Sequence, residues 1–330
     1  MSKILIKTIS YVIMACASLM LPAANAQGWK PDKHVELIVP AEAGGSLDIT
    51  GRTLHKIMDE MKLLPGSSAI TNRGGGGHAV AYSYLNQRAG DGHFLSITSA
   101  NLLGGHINGR LPMSYNDVTP IATMLSENIA FAVRADSPIN SGKDLLEALK
   151  KNPGVYSIAL GSAVGGTHHI AVGLALQSAG VDVKQVKLVG FNASTGAVTA
   201  LLGGHVDVAA ASTINISQQI EAGKLKAIAV TAPKRMSGAL AKTPTWPEQG
   251  YKGVMENWRG VIGPRGLTPQ QAAFWEGVIQ KVVENEEFRQ YAAKNQWDIT
   301  FRGAKETRAF MEQDYNQLKS VMTFLGLAKQ

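Results

Sequence analysis

The chain has 330 residues, 45% of them hydrophobic and 17% charged, with a formal charge of +7. That length is enough for two globular domains of ordinary size. Its lysines and arginines are scattered rather than gathered into a stripe with interleaved aromatics, which excludes a nucleic-acid surface.

Residues 1–26 have the layout of a secretory signal. Lys3 and Lys7 supply the charge, residues 9–21 the apolar run, and Ala24-Asn25-Ala26 the cleavage site, with Gln27 first in the mature chain. Cleavage after Ala26 removes Cys16, the only cysteine. That excludes a disulfide framework, a thiol nucleophile and a cysteine metal site. No later apolar run approaches the roughly 20 residues that span a bilayer. A soluble exported protein, placed in the periplasm, is expected; a retained anchor or a lipid on Cys16 are the alternatives.

Residues 35–39 read as a buried strand that Pro40 ends, because proline has no N–H for the ladder. Ala41, Glu42, Ala43, Gly44 and Gly45 form the loop, Ser46 is a good N-cap, and a helix follows over 47–61. A strand leading through glycines into a helix N-terminus aims several N–H groups at one spot and favours an anion there. Asp48 reads as a structural acid of the helix turn or as a cleft residue. A second such unit has a strand at 68–71, the loop Asn72-Arg73-Gly74-Gly75-Gly76-Gly77-His78, and a helix through Gln87. Gly74, Gly76 and Ala79 fit G-x-G-x-x-A, but the next acid, Asp91, comes too early for a dinucleotide fingerprint. A third strand, 94–98, ends in Ser99-Ala100-Asn101, the small polar residues found where open α/β sheets bind ligands.

Residues 121–133 read as one long or two short strands. Ser141 caps a helix through Lys151, stopped by Asn152-Pro153-Gly154. The theme then repeats. A strand at 156–160 leads through Gly161-Ser162-Ala163-Val164-Gly165-Gly166-Thr167 into a helix over 168–179. A strand at 186–189 leads through Gly190-Phe191-Asn192-Ala193-Ser194-Thr195-Gly196 into one over 197–202. A strand at 206–211 leads through Ser212-Thr213 into one over 214–222, and a strand follows at 227–230. This alternation implies a mostly parallel sheet. A strand at 254–262 returns, Thr268-Pro269 opens a helix, and helices over 286–295 and 304–325 complete the chain. The first half and the tail have no separate cores, so they join. The expected fold is α/β with two lobes, a mostly parallel sheet in each and two hinge crossings. Lobe one takes 27–125 and 254–330, and lobe two takes 126–253. Such a hinged cleft suits closure on a small solute.

Enzyme motifs are absent: there is no G-x-S-x-G elbow, P-loop or H-E-x-x-H. Adjacent His168 and His169 point in different directions on a helix and make a poor metal pair; one is expected to line the cleft and the other to pack. Trp258-Arg259 reads as hinge packing or as part of the cleft. No catalytic residue, metal or cofactor is expected. An exported hydrolase would need a nucleophile–base pair that the sequence does not name.

V-E-L-I-V-P-A-E-A-G-G-S-L-D, T-N-R-G-G-G-G, G-S-A-V-G-G-T-H-H-I-A, A-L-L-G-G-H-V-D-V and E-N-W-R-G-V-I-G-P-R-G-L occur in this order. Together they resemble the substrate-binding proteins of tripartite tricarboxylate transporters, also called the Bordetella uptake gene family, with the citrate-like branch nearest. The resemblance implies a type II periplasmic binding protein, a Venus flytrap, that delivers a small carboxylate to a two-component membrane permease. A monomer without a nucleic-acid partner is expected, and the resemblance implies a ligand held by main-chain N–H groups and waters. The two holding loops would be Ala41–Asp48 and Ser162–Thr167, with Gly165, Gly166 and His168 at the second. Ser99, Asn101, Asn192, Ser194, Thr195, Gly196, Ser212 and Trp258 would line the rest. Glu42 departs from the usual first loop and leaves room for aromatic carboxylates or ligands with a cationic group. A subunit serving a membrane sensor kinase is the other reading, which neighbouring genes would separate from transport.

Overall fold

The computed structural model describes residues 28–41, 43, 46–191 and 193–329. The expected leader, Glu42, Gly44, Gly45 and Asn192 lie outside the described residues.

The first strands are β1 (Val35–Val39), β2 (Ser68–Asn72), β3 (Phe94–Ser99) and β4 (Val118–Glu127). β1 runs parallel to β2 and β3, with Leu37 opposite Ile70 and Leu95. The next five, β5 (Ile129–Arg134), β6 (Ser157–Leu160), β7 (Lys187–Gly190), β8 (Val208–Ser212) and β9 (Leu225–Val230), form a separate five-stranded sheet in the order β7-β6-β8-β5-β9. The chain then returns. β10 (Asn257–Pro264) inserts between β3 and β4, and β11 (Asp298–Arg302) adds to the edge beside β4, giving a six-stranded sheet β11-β4-β10-β3-β1-β2. The stretch 121–133 is thus two strands in two different sheets, with Asn128 between them.

Both sheets are mixed. β6, β7 and β8 run parallel, but β5 is antiparallel to β8 and β9. β10 is antiparallel to β3 and β4, and β11 to β4. Of the reversed strands β5, β10 and β11, the first two are the ones on which the chain crosses between lobes.

The helices are α1 (Ser46–Glu60), α2 (Ala79–Asn86), α3 (Asn101–Ile107), α4 (Gly142–Lys151), α5 (Thr167–Ala179), α6 (Ser194–Leu202), α7 (Thr213–Glu221), α8 (Pro269–Glu284), α9 (Glu286–Lys294) and α10 (Ala304–Phe324). Ser141 Oγ accepts from the Asp144 N–H at 3.0 Å, and Thr268 forms a capping box with Gln271, as expected at those starts. α3 and β11 are not apparent from the sequence. α3, N-L-L-G-G-H-I, carries two glycines that lower its helix propensity. β11 has five residues between two helices and, among the described residues, pairs with β4 only.

In the first lobe, Leu37, Val39, Ile97, Leu125 and Val261 pack with Trp275 and Phe288. A second cluster spans both lobes, running from Leu103, Leu318 and Met322 to Ile170, Leu174 and Phe131. Its centre is α5, which is apolar on nearly every face, as a helix enclosed on all sides must be. The N-terminus of this enclosed helix is fixed at the boundary between the lobes.

Candidate functional site

A cavity of about 210 Å³ opens between the lobes. The first lobe contributes Gly77, His78, Ala100, Asn101, Asn108 and Arg110; the second contributes the stretch from Ala163 to Thr167 and Ile170. The Gly165–Thr167 turn therefore faces the first lobe across a shared space. No aspartate or glutamate lines this cavity among the described residues. Its volume lies below the roughly 300–1,000 Å³ of drug-sized pockets, so it suits a small solute.

The second-lobe loop is built around its own donors. The Gly165 N–H donates to His169 Nδ1 at 3.0 Å, and the Gly166 N–H to the Ala163 carbonyl at 2.9 Å. Gly165 sits at φ +88°, a left-handed conformation that side chains disfavour. These two amides are spent inside the loop, contrary to their expected part as ligand donors. The amides of Thr167, His168 and His169, in the first turn of α5, have no protein acceptor among the described residues. They are the donors left for an anion, reinforced by the helix dipole.

His168 and His169 are both buried. Burial lowers the pKa of each, to about 4 for His168 despite the opposing pull of Glu127. Both imidazoles are neutral at neutral pH. His169 braces the loop, and His168 starts a buried relay. His168 Nε2 lies 3.3 Å from Ser194 Oγ, Ser194 donates to Ser212 Oγ at 3.2 Å, and Ser212 donates to Glu127 Oε1 at 2.5 Å. Asn257 donates to Glu127 Oε2 at 3.0 Å, and Arg259 Nη2 lies 3.6 Å from the same oxygen. Arg259 continues to Thr50 Oγ1 on α1 at 3.1 Å and stacks on Trp297 at 3.8 Å. The chain of contacts joins second-lobe residues, the strands β4 and β10 and the first-lobe helix. Gly161 makes room for it, because a Cβ there would stand 2.6 Å from Ser194 Oγ.

Ser194 and His168 form a serine–histidine pair that sequence reasoning did not find. It is a poor nucleophile–base pair. His168 Nδ1 is buried without a partner, so no acid orients the ring, and a base with a pKa near 4 is weak at neutral pH. Ser194 and Ser212, expected to line the cleft, have their hydroxyls committed to this relay instead.

Two other expectations are corrected. Trp258 is 0% exposed and donates its indole N–H to Asp314 Oδ2 at 2.7 Å; it packs the first lobe rather than the cleft. Asp48 is 1% exposed, bonded by Arg52 at 2.8 Å and by Asn72 at 2.8 Å, so it ties α1 to β2. Ser99 is buried and its Oγ accepts from the Asn101 N–H at 3.4 Å. Asn101 and Thr167 do line the cavity. Ala41 is half-buried, Ala43, Ser162, Thr195 and Gly196 are at least partly exposed, and none of the five is among the cavity's lining residues. Arg110, missed entirely, also lines the cavity. In the sequence it is one arginine after an Asn-Gly turn, which reads as a solvated surface residue.

A family profile described as "Tripartite tricarboxylate transporter family receptor" matches residues 54–327. Protein BugT of Bordetella pertussis is 23% identical over 301 residues, covering 90% of each chain. The crystal structure of a TctC solute binding protein from Polaromonas superposes with a TM-score of 0.81 at 25% identity, over 89% of this chain and 99% of that one. An R. palustris protein, Rpa4515, solved with adipate, superposes with a TM-score of 0.69 at 21% identity, over 90% and 99%.

Proposed function

Because the chain belongs to the tripartite tricarboxylate transporter receptor family, we propose that it captures a small organic carboxylate between its lobes and presents it to a two-component membrane permease. It acts in the periplasm as a monomer, after cleavage of its leader behind Ala26, and performs no catalysis. The lobes are residues 27–125 with 254–330, and residues 126–253, turning about the two crossings. One carboxylate of the ligand sits at the α5 N-terminus on the amides of Thr167 and His168 and the Thr167 hydroxyl, with Ala41–Asp48 as the other holding loop. The observation that carries this reading is the cavity itself: both lobes line it, Thr167 with its unspent amide is among its lining residues, and no acid is, among the described residues. Charge-assisted hydrogen bonds contribute roughly 1.5–3 kcal/mol each, so a few of them supply most of the roughly 8 kcal/mol of micromolar binding. The adipate held by a relative of like fold is a ligand of this chemical class.

A thermal-shift panel tests it, with di- and tricarboxylates, aromatic acids, amino acids, neutral sugars and metal ions. A true ligand raises the melting temperature with the logarithm of its concentration above Kd. Carboxylates are expected to do this; a shift by sugars or metals alone would overturn the reading.

A further inference from the structure

Arg110 stands on the first-lobe wall of the interlobe cavity, which the Gly165–Thr167 turn also lines. Its side chain is exposed. Its backbone N–H is bonded to Asn108 Oδ1 at 3.0 Å, but its guanidinium has no ion pair, hydrogen bond or aromatic partner among the described residues. Elsewhere in the molecule arginine heads are mostly engaged: Arg52 with Asp48, Arg134 with Asp136, Arg235 with Glu248, Arg259 with Glu127, Arg302 with Glu256. Among the described residues lining this cavity, Arg110 is the only lysine or arginine, and there is no acid to neutralise its charge. The remaining lining side chains are short, amide or apolar. His78 contributes a neutral imidazole, its pKa lowered by burial. At neutral pH the described lining therefore carries one net positive charge, in the same cavity as the helix end that takes the first carboxylate.

We propose that Arg110 binds a second carboxylate at the far end of the ligand and so makes the protein selective for diacids over monoacids of the same chain length. This rests on the carboxylate reading above and adds the residue that sets the ligand's second end. The planar guanidinium matches a carboxylate with two parallel N–H donors, which a point charge does not. The side chain is long and unanchored, so it can follow diacids of different lengths. A monoacid would leave the charge without a partner in a closing, water-poor cleft, which is costly.

Calorimetric titration of the wild type, Arg110→Gln and Arg110→Lys with linear diacids from succinate to suberate, and with monoacids of matching length, tests this. The wild type is expected to favour its best diacid over the matching monoacid at least about tenfold. Arg110→Gln should weaken the diacid by about ten- to a hundredfold and change the monoacid less than about twofold, and Arg110→Lys should recover part of the loss. Melting temperature without ligand should not change, because the side chain is exposed and unpaired. If Arg110→Gln weakens diacid and monoacid equally, or neither, Arg110 does not read the second carboxylate, and the inference fails while the carboxylate reading stands. If the wild type binds no member of either series, carboxylate capture itself fails and takes this inference with it.

Discussion

The two walls of the interlobe cavity are made differently. The second-lobe wall is fixed main chain. The α5 amides are held by a helix enclosed in apolar packing, the loop is braced by His169, and the relay from His168 to Glu127 lies behind it. The first-lobe wall presents side chains: two asparagines, a half-buried histidine and an exposed arginine. Main-chain donors on a rigid element recognise a group without conformational cost at the moment of binding, whereas a long side chain adapts to what it meets. A rigid wall paired with an adaptable one suits a binder that demands one carboxylate and reads the rest of the ligand.

The second wall is most sensitive at Glu127. Glu127→Leu would leave Arg259, 5% exposed, with an uncompensated charge. A loss of about 3–5 kcal/mol in urea unfolding is expected; a loss below about 1 kcal/mol would show that the relay does not support the second wall.

His168 gives a pH signature of that same wall. Its folded pKa, about 4, lies below its ordinary 6.5. The unfolded chain takes up this proton first as pH falls, so the stability it supports is whole above about 6.5 and is lost progressively down to about 4. The loss should reach up to about 3 kcal/mol, and His168→Gln should remove that part of the pH dependence. An unchanged acid limb in His168→Gln would mean the ring is not buried neutral.

Gly165→Val forces a β-branched side chain to φ +88°. The turn must rearrange, and affinity for the best carboxylate should fall about a hundredfold, roughly 2.7 kcal/mol. The melting temperature should move only a few degrees, because the turn is at the surface. Unchanged affinity would remove the loop from the site.

Asp314 is the first lobe's counterpart of His168, with the opposite sign. Burial raises its carboxyl pKa to about 7, against the hydrogen bond from Trp258. The folded chain keeps this proton longer, so the associated stability is whole below about 3.8 and is lost as pH rises through about 7. Asp314→Asn retains an acceptor for the Trp258 indole without the charge. It should be more stable than the wild type by about 2 kcal/mol at pH 8 and nearly equal to it at pH 4; equal stability at both pH values would place Asp314 in water.

Much of the architecture could be read from the chain alone. Hydrophobic runs of four to six residues bounded by glycine and serine marked most strands, and caps such as Ser141 and Thr268 marked helix starts, because these signals act between residues close in sequence. The return of the tail to the first lobe was readable because neither piece could form a core alone. Functional detail was only partly legible. A serine at the end of a strand offers the same hydroxyl to a ligand or to a neighbouring strand, so Ser194 and Ser212 were read as lining residues. Trp258 carried no signal to separate a packed indole from an exposed one.

Sequence by itself determined that two α/β units with glycine loops before helices would form and that the chain would cross twice between them. These follow from local propensity and from the need of each unit to bury an apolar face. Tertiary structure alone decided which donors are spent and which are open, that Glu127 would gather groups from both lobes, and that Arg110 would line one cavity with the α5 terminus. Those outcomes depend on distances between residues far apart in the chain, which no pattern of neighbouring residues encodes.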